Sequence, residues 1–147
     1  MTIINYTPKY CADITQLVTE FYDEALKEND GGLDIDTLHK TIEVYKDNSF
    51  LLIREDKCIG LIAGLTAHSP INSDKVYQEI VWYVTKSHRR YGVYLLREVE
   101  QILKDRGYTS IIMGCMHNSK TDKLFRLYNR LGYKPLETHF RRSLCQK

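Results

Sequence analysis

The segment from residue 82 to residue 106 joins an apolar strand to an amphipathic helix through a short basic turn. The turn carries Arg89, Arg90 and Gly92, and the helix after it has apolar residues at helical spacing: Leu95, Leu96, Val99, Ile102 and Leu103. A strand that feeds a helix in this way directs unpaired backbone N–H groups, the positive end of the helix dipole and nearby guanidinium groups toward one place. The segment therefore predicts an anion-binding turn in an α/β protein, suited to phosphate.

The form of the turn excludes two common phosphate-binding motifs. A mononucleotide-binding P-loop requires G-x-x-x-x-G-K-[ST] and a Rossmann turn requires G-x-G-x-x-G, and the chain contains neither string. What remains is Arg89-x-x-Gly92-x-Tyr94. In a turn with no ligand, Gly92 would only supply a positive φ, and that interpretation stays open at this point.

Two motifs in this chain resemble those of one family. Arg89-x-x-Gly92-x-Tyr94 resembles the Q/R-x-x-G-x-G/A signature of the GNAT superfamily of N-acetyltransferases, with Tyr94 where a small residue is usual. Downstream, Leu127-Tyr128-x-x-Leu131-Gly132-Tyr133 is similar to the L-Y-x-x-x-G-F/Y ending of the same superfamily. The resemblance covers roughly residues 48 to 144. It implies a GNAT-like acyl-CoA N-acyltransferase fold, a mixed α/β sheet flanked by helices, and transfer of an acetyl group from acetyl-coenzyme A to a primary amine.

The resemblance also implies which residues hold acetyl-coenzyme A. They lie in the turn and at the end of the strand before it: Tyr83, Val84, Arg89, Arg90, Tyr91, Gly92, Val93 and Tyr94. Backbone groups at a strand distortion near Tyr83 and Val84 would pair with the pantetheine arm and hold the thioester carbonyl. Family members commonly have an asparagine seven residues before the motif tyrosine. Thr121 stands there in this chain and Asn118 lies three residues earlier, so Asn118 is a further cofactor candidate.

Two residues are candidates for proton transfer. A lysine-like amine must lose a proton before it attacks a thioester, and Glu79 resembles in position the glutamate that some family members use as a general base. The departing thiolate is assisted by an acid, and Tyr128 occupies the family's place for that acid. The structural alternatives are a Glu79 that faces solvent and a Tyr128 that packs in the core.

Hydrophobic periodicity predicts an alternation of helices and strands. Helices are predicted over residues 10–28, from Asp34 or Asp36 to about Lys46, over residues 93–106, and around Tyr128. Strands are predicted over residues 2–6, 50–54, 58–65, 76–85, 110–116 and 134–143, and the apolar run 110–116 predicts burial on both faces. At 147 residues the chain is expected to form one domain, residues 1–147.

Charge is unevenly divided along the chain. Residues 1–74 carry 6 Lys and Arg against 13 Asp and Glu, or −7, and residues 75–147 carry 15 against 6, or +9, which together give the net +2. The basic half suits polyanionic coenzyme A. The acidic residues around Gly31-Gly32 favour a cationic acceptor, a small molecule or a peptide. They are Asp23, Glu24, Glu28, Asp30, Asp34 and Asp36, against a single Lys27.

Other functional classes find less support in the sequence. The four cysteines form no C-x-x-C pair and no zinc spacing with the histidines, so no metal site is expected. A basic nucleic-acid-binding module is disfavoured because no RRM or KH signature is present. No apolar run approaches about 18 residues, and we expect a cytoplasmic monomer or homodimer with no membrane partner. A member that binds coenzyme A or a partner protein without turnover stays an alternative.

Overall fold

Five strands in the first part of the chain form one mixed sheet. The computed structural model describes residues 1–26, 32–116 and 120–145 and divides the chain into two units, Met1–Gly114 and Cys115–Lys147. The strands are β1 Thr2–Asn5, β2 Ser49–Arg54, β3 Lys57–His68, β4 Lys75–Val84 and β5 Ser110–Ile112, in the spatial order β1-β2-β3-β4-β5. Neighbours are antiparallel except β4 and β5, which are parallel. The predicted mixed sheet is confirmed.

Helices flank the sheet on both faces. The first unit contains α1 Cys11–Phe21, which a π-helical turn, Tyr22–Leu26, extends, as well as α2 Ile35–Val44 and α3 Gly92–Asp105. Tyr83 of β4 belongs to the buried cluster that α1 and α2 form on the sheet. The next residue, Val84, approaches the first residue of α3. Because consecutive strand residues point to opposite faces, α3 covers the face opposite α1.

Local sequence signals explain several boundaries. Asp34 begins α2, because its side chain accepts hydrogen bonds from the backbone N–H groups of Asp36 at 3.0 Å and Thr37 at 3.2 Å. Glu55 and Asp56 form the two-residue β2–β3 turn with φ of 50° and 58°, as such hairpins require. The predicted first helix continues to residue 26, and its last two residues lie outside the described ranges.

The second unit contains one described helix, α4 Thr121–Arg130. Gly132 follows its end with φ of 89°. The N–H of Gly132 donates to the carbonyl of Asn129 and the N–H of Tyr133 donates to the carbonyl of Tyr128. These two bonds form a Schellman cap. The cap requires the positive φ that Gly132 supplies, and an apolar contact commonly accompanies it, which accounts for the aromatic residue Tyr133 at the end of the second motif.

Two predictions about strands are wrong. β5 ends at Ile112 and is not buried on both faces, because within the described residues it is an edge strand that pairs with β4 alone. Residues 134–143 form no strand. They have no pairing partner within the described ranges, and Pro135 removes one backbone donor. Leu136 and Phe140 are accordingly exposed.

None of the helices within the described ranges has both the length and the apolar character that a membrane span needs.

Candidate active site

The pairing of β4 changes along its length. With β3 it pairs from Lys75 to Val84, but with β5 it pairs only from Val76 to Gln78. From Glu79 onward, the side of β4 that faced β5 has no strand partner within the described residues. Such an edge presents backbone donors and acceptors to which an extended ligand can add as a further strand.

Alternation along β4 identifies which backbone groups point to this edge. The N–H of Thr85 donates to the carbonyl of Ile59 at 3.0 Å, so the groups of Thr85 and Tyr83 face β3. The groups of Val84 therefore point away from β3, and its carbonyl accepts from Arg89 Nε at 3.4 Å. Of the two residues that the sequence implicates here, Val84 has its backbone groups on the open side and Tyr83 has them in the sheet.

The distortion of β4 lies at Ile80 rather than near Tyr83 and Val84, where it was predicted. Ala63 pairs with Val81 while Gly64 pairs with Glu79, so Ile80 is an extra residue in the strand. A Cβ at Gly64 would lie 2.3 Å from the carbonyl oxygen of Gln78. Glycine thus permits the close approach of the two strands beside the bulge.

Glu79 lies where the open edge of β4 begins. It is partly buried, and its Oε2 accepts a hydrogen bond from the N–H of Gly114 at 2.8 Å. Burial raises the pKa of Glu79 to about 7, although the bond from Gly114 opposes the shift. A carboxyl with this pKa can take up and release a proton near neutral pH.

The basic turn is a 3₁₀ helix, Lys86–Tyr91, that runs directly into α3. Gly92 has φ of −60°, so the interpretation of Gly92 as a positive-φ residue is wrong. The N–H groups of His88 and Gly92 donate to the carbonyls of Thr85 and Arg89, so these two amides are bonded within the turn. The N-terminus of α3 has no hydrogen bond from a capping side chain among the described residues, and its first turn contains no acidic residue. The positive end of the helix dipole therefore has no carboxylate in its own first turn.

The side chains of the turn have distinct partners. Arg89 forms an ion pair with Glu24 of the π-helical turn. Arg90 and Arg54, which ends β2, both donate to the Tyr91 hydroxyl, at 3.0 Å and 2.7 Å. The bond from Arg90 is the largest of the influences that lower the pKa of Tyr91. In the first turn of α3, Val93 is half-buried and Tyr94 is 39% exposed.

The sequence motifs implied no cofactor role for two of these partners, Glu24 and Arg54. They contact Arg89 and Tyr91 from positions 65 and 37 residues away in the chain. The acidic stretch that contains Glu24 was visible in the sequence, but no spacing rule connects it to the turn.

Tyr128 lies in the second unit. Its side chain is buried, and its ring lies 5.4 Å from that of Tyr133 in a tilted arrangement. The Schellman cap at Gly132 brings these two rings together across the helix end. Asn118 lies outside the described residues.

The acidic residues predicted to face the acceptor divide into three groups. Asp34 is engaged as the cap of α2 and Glu24 in the ion pair with Arg89. Asp23 and Asp36 are exposed. Glu28 and Asp30 fall outside the described ranges, as does the single basic residue of this stretch, Lys27.

Potential metal ligands are not clustered in the described part of the chain. There, no three His, Cys, Asp or Glu side chains are grouped as a metal ion requires.

Comparison with known proteins gives a family match over most of the chain. Residues 12–133 match the model of the acetyltransferase (GNAT) family. No curated protein matches the chain significantly.

Solved structures of similar fold are numerous. An aminoglycoside acetyltransferase from an uncultured soil metagenomic sample is 16% identical with a TM-score of 0.74, and the match covers 98% of each chain. A GNAT family acetyltransferase from Staphylococcus aureus is 19% identical with a TM-score of 0.70, over 98% of this chain and 100% of that one. A ribosomal-protein-alanine N-acetyltransferase from Brucella melitensis is 12% identical with a TM-score of 0.76, over 98% and 99%. At these identities the likeness establishes the fold.

Proposed function

The chain belongs to the acetyltransferase (GNAT) family, and from that premise we propose that it transfers the acetyl group of acetyl-coenzyme A directly to a primary amine. The observation that carries the proposal is the open edge of β4, which ends at a basic turn and at the N-terminus of α3, a helix end that no described side chain caps. An extended pantetheine arm fits the first feature. A pyrophosphate fits the second.

Glu79 is the proposed base. The amine nitrogen attacks the thioester carbonyl carbon, a C–N bond forms, and the amine proton passes to the Glu79 carboxylate, directly or through water. A pKa of about 7 keeps a large share of Glu79 ionised at neutral pH while leaving it basic enough to accept that proton. The N–H of Val84, on the open side of β4, is the proposed donor to the carbonyl oxygen.

Tyr128 is the proposed acid. When the C–S bond breaks, the electron pair goes to sulfur, and a proton from the phenol yields the neutral coenzyme A thiol. The support is the motif position of Tyr128 and the Schellman cap that fixes its carbonyl and its ring beside Tyr133.

A cationic amine is the proposed acceptor. The first 74 residues carry a net charge of −7, and Asp23 and Asp36 are exposed. Structures of similar fold include an aminoglycoside acetyltransferase in complex with sisomicin. A negative surface would raise the encounter rate of a cationic amine and lower that of an anionic one.

The proposal is tested by thiol release from acetyl-coenzyme A in the presence of cationic, neutral and anionic amines, with the product identified by mass spectrometry. We expect release that depends on a cationic amine, and a kcat/KM that falls as salt rises. Binding of acetyl-coenzyme A without thiol release for any amine would instead identify a member without turnover.

Tyr128→Phe tests the acid in the same assay, with Tyr133→Phe as the matched control from the same cap. Both variants keep their rings. Loss of the Tyr128 hydroxyl is expected to lower kcat about 100-fold, whereas Tyr133→Phe should stay close to wild type. Equal kcat values for Tyr128→Phe and wild type would reduce Tyr128 to a packing residue.

A further inference from the structure

Arg89, the arginine of the motif in the basic turn, already forms an ion pair with a carboxylate of the chain itself. Arg89 Nη2 lies 2.5 Å from Glu24 Oε2. The same guanidinium donates from Nε to the carbonyl of Val84 and lies over the ring of Tyr83 at 5.5 Å. Glu24 comes from the π-helical turn after α1, a rare form of helix that often occurs at functional sites.

The Glu24 carboxylate has polar partners other than Arg89. Its Oε1 accepts a hydrogen bond from the Tyr83 hydroxyl at 2.7 Å, and Lys86 Nζ lies 3.8 Å from the same oxygen. The Glu24 side chain is only 18% exposed, against 40% for Arg89. The carboxylate therefore keeps two partners if Arg89 turns away, and Arg89 is the more accessible member of the pair.

A phosphate and a carboxylate compete for the same face of a guanidinium. Both accept charge-assisted hydrogen bonds from its Nη donors, and a neutralised guanidinium attracts a further anion less than a free one does. Burial is the largest single influence on Arg89 and opposes its charge, but the interactions of Arg89 with Glu24 and Tyr83 together outweigh burial and raise the pKa of Arg89. Glu24 thus lowers the attraction of this end of the turn for an external phosphate.

We propose that Glu24 is an internal counter-ion that exchanges with the phosphates of acetyl-coenzyme A for Arg89. The inference rests on the proposed function, because it takes the turn as the phosphate site. When the cofactor binds, Arg89 leaves Glu24 for the phosphates, and Glu24 stays on Tyr83 and Lys86. When coenzyme A dissociates, the ion pair between Glu24 and Arg89 forms again. Glu24 is accordingly a positioning residue that weakens cofactor binding and speeds release of the product.

Glu24→Gln tests this exchange by calorimetric titration with acetyl-coenzyme A. Glutamine keeps the size and the acceptor oxygen for Tyr83, and removes only the charge. We expect the variant to bind acetyl-coenzyme A about fivefold more tightly than wild type. This factor corresponds to the upper end of the interaction free energies of partly exposed ion pairs. A merely structural role of Glu24 predicts the opposite sign, with weaker binding and a lower melting temperature.

Glu20→Gln is the matched control. Glu20 also carries one charge, and its Oε2 lies 3.3 Å from the Tyr83 hydroxyl oxygen, but it forms no ion pair with Arg89. A general effect of net charge would tighten binding equally in both variants, and would overturn the exchange. In an Arg89→Gln background, Glu24→Gln should have no further effect on the dissociation constant.

The outcomes separate the inference from the proposed function. If wild type does not bind acetyl-coenzyme A, the proposed function fails and the exchange fails with it. If wild type binds and Glu24→Gln binds equally or more weakly, only the exchange is overturned. Tighter binding by Glu24→Gln alone, lost in the Arg89→Gln background, supports the exchange.

Discussion

The two halves of β4 differ in what surrounds them. Residues 76–78 lie between β3 and β5, whereas residues 79–84 pair with β3 alone within the described sheet. In the first half, Tyr77 is fully buried and its hydroxyl donates to the carbonyl of Asn48 at 2.7 Å. In the second half, Glu79 and Val84 direct polar groups to the open edge. The first half of β4 therefore stabilises the sheet, and the second half has backbone groups available to a ligand. The bulge at Ile80 lies near the boundary between the two halves.

The largest effect is expected at Gly64, which faces that point from β3. A Cβ there would lie 2.3 Å from the Gln78 carbonyl and 2.8 Å from the Tyr77 ring, so Gly64→Ala must displace backbone. We expect a loss of about 3 kcal/mol in the free energy of unfolding, measured by urea denaturation. Gly92→Ala is the control, since its Cβ would lie 3.7 Å from Trp82 at ordinary contact distance. A Gly64→Ala protein as stable as Gly92→Ala would contradict the close approach of β3 and β4.

Glu79→Gln is expected to have the next largest effect, on activity. Glutamine can still accept from the N–H of Gly114, so the strand geometry should persist while the base is lost, and kcat/KM for the amine should fall about 100-fold. In wild type, kcat/KM should rise as the pH increases through about 7, because Glu79 becomes ionised. This rise should be absent in the variant. Glu98→Gln, at an exposed position of α3, is the charge-matched control. A wild-type profile that is flat between pH 6 and 8 would argue against this role.

The same carboxyl has a consequence for stability. Burial raises the pKa of Glu79 from 4.5 to about 7, so between these values the folded protein keeps a proton that the unfolded chain releases. Stability relative to Glu79→Gln should therefore be highest below pH 4.5 and fall as pH rises to about 7, with no further change above it. Melting temperatures of the two proteins across this range measure the difference.

Tyr77→Phe tests the first half of β4, and we expect it to lower the free energy of unfolding by less than Gly64→Ala does. The ring stays in place while the hydrogen bond to Asn48 is lost, which corresponds to about 1 kcal/mol in chemical denaturation. Because Tyr77 lies in the half that is closed by β5, kcat/KM should be unchanged. A drop in kcat/KM as large as that of Glu79→Gln would mean that the two halves do not have separate roles.

The smallest effect is expected for Ile80→Thr. The Ile80 side chain is 52% exposed, and threonine keeps the β-branch that suits a strand. Stability should change by less than about 0.5 kcal/mol, and activity should be retained. A larger change would show that the side chain at the bulge, and not only the extra backbone residue, maintains the geometry of β4.

The sequence predicts local features of the site well. The boundary between β4 and the basic turn follows from the apolar run up to Val84, and the end of α4 follows from Gly132, whose positive φ a Schellman cap requires. Each feature depends on a few consecutive residues. The roles of Glu79 and Tyr128 stay predictions.

Features that depend on distant partners could not be predicted in this way. The bulge at Ile80 depends on the missing side chain of Gly64 in the neighbouring strand. The ion pair of Arg89 with Glu24 depends on which face of the sheet each element covers. The apolar residues at 110–116 indicated a buried strand, but β5 is the outermost strand of the described sheet, and burial of a strand depends on neighbours that its own residues do not specify.

The central claim is that the open edge of β4 receives acetyl-coenzyme A as an additional strand. Amide hydrogen exchange of neighbouring residues, followed by NMR with and without acetyl-coenzyme A, tests this claim directly. The N–H of Val84 points away from β3, so its exchange should slow strongly when acetyl-coenzyme A is bound, while the N–H of Tyr83, which faces β3, should change little. Equal exchange of the Val84 amide in the presence and absence of saturating acetyl-coenzyme A would contradict the claim.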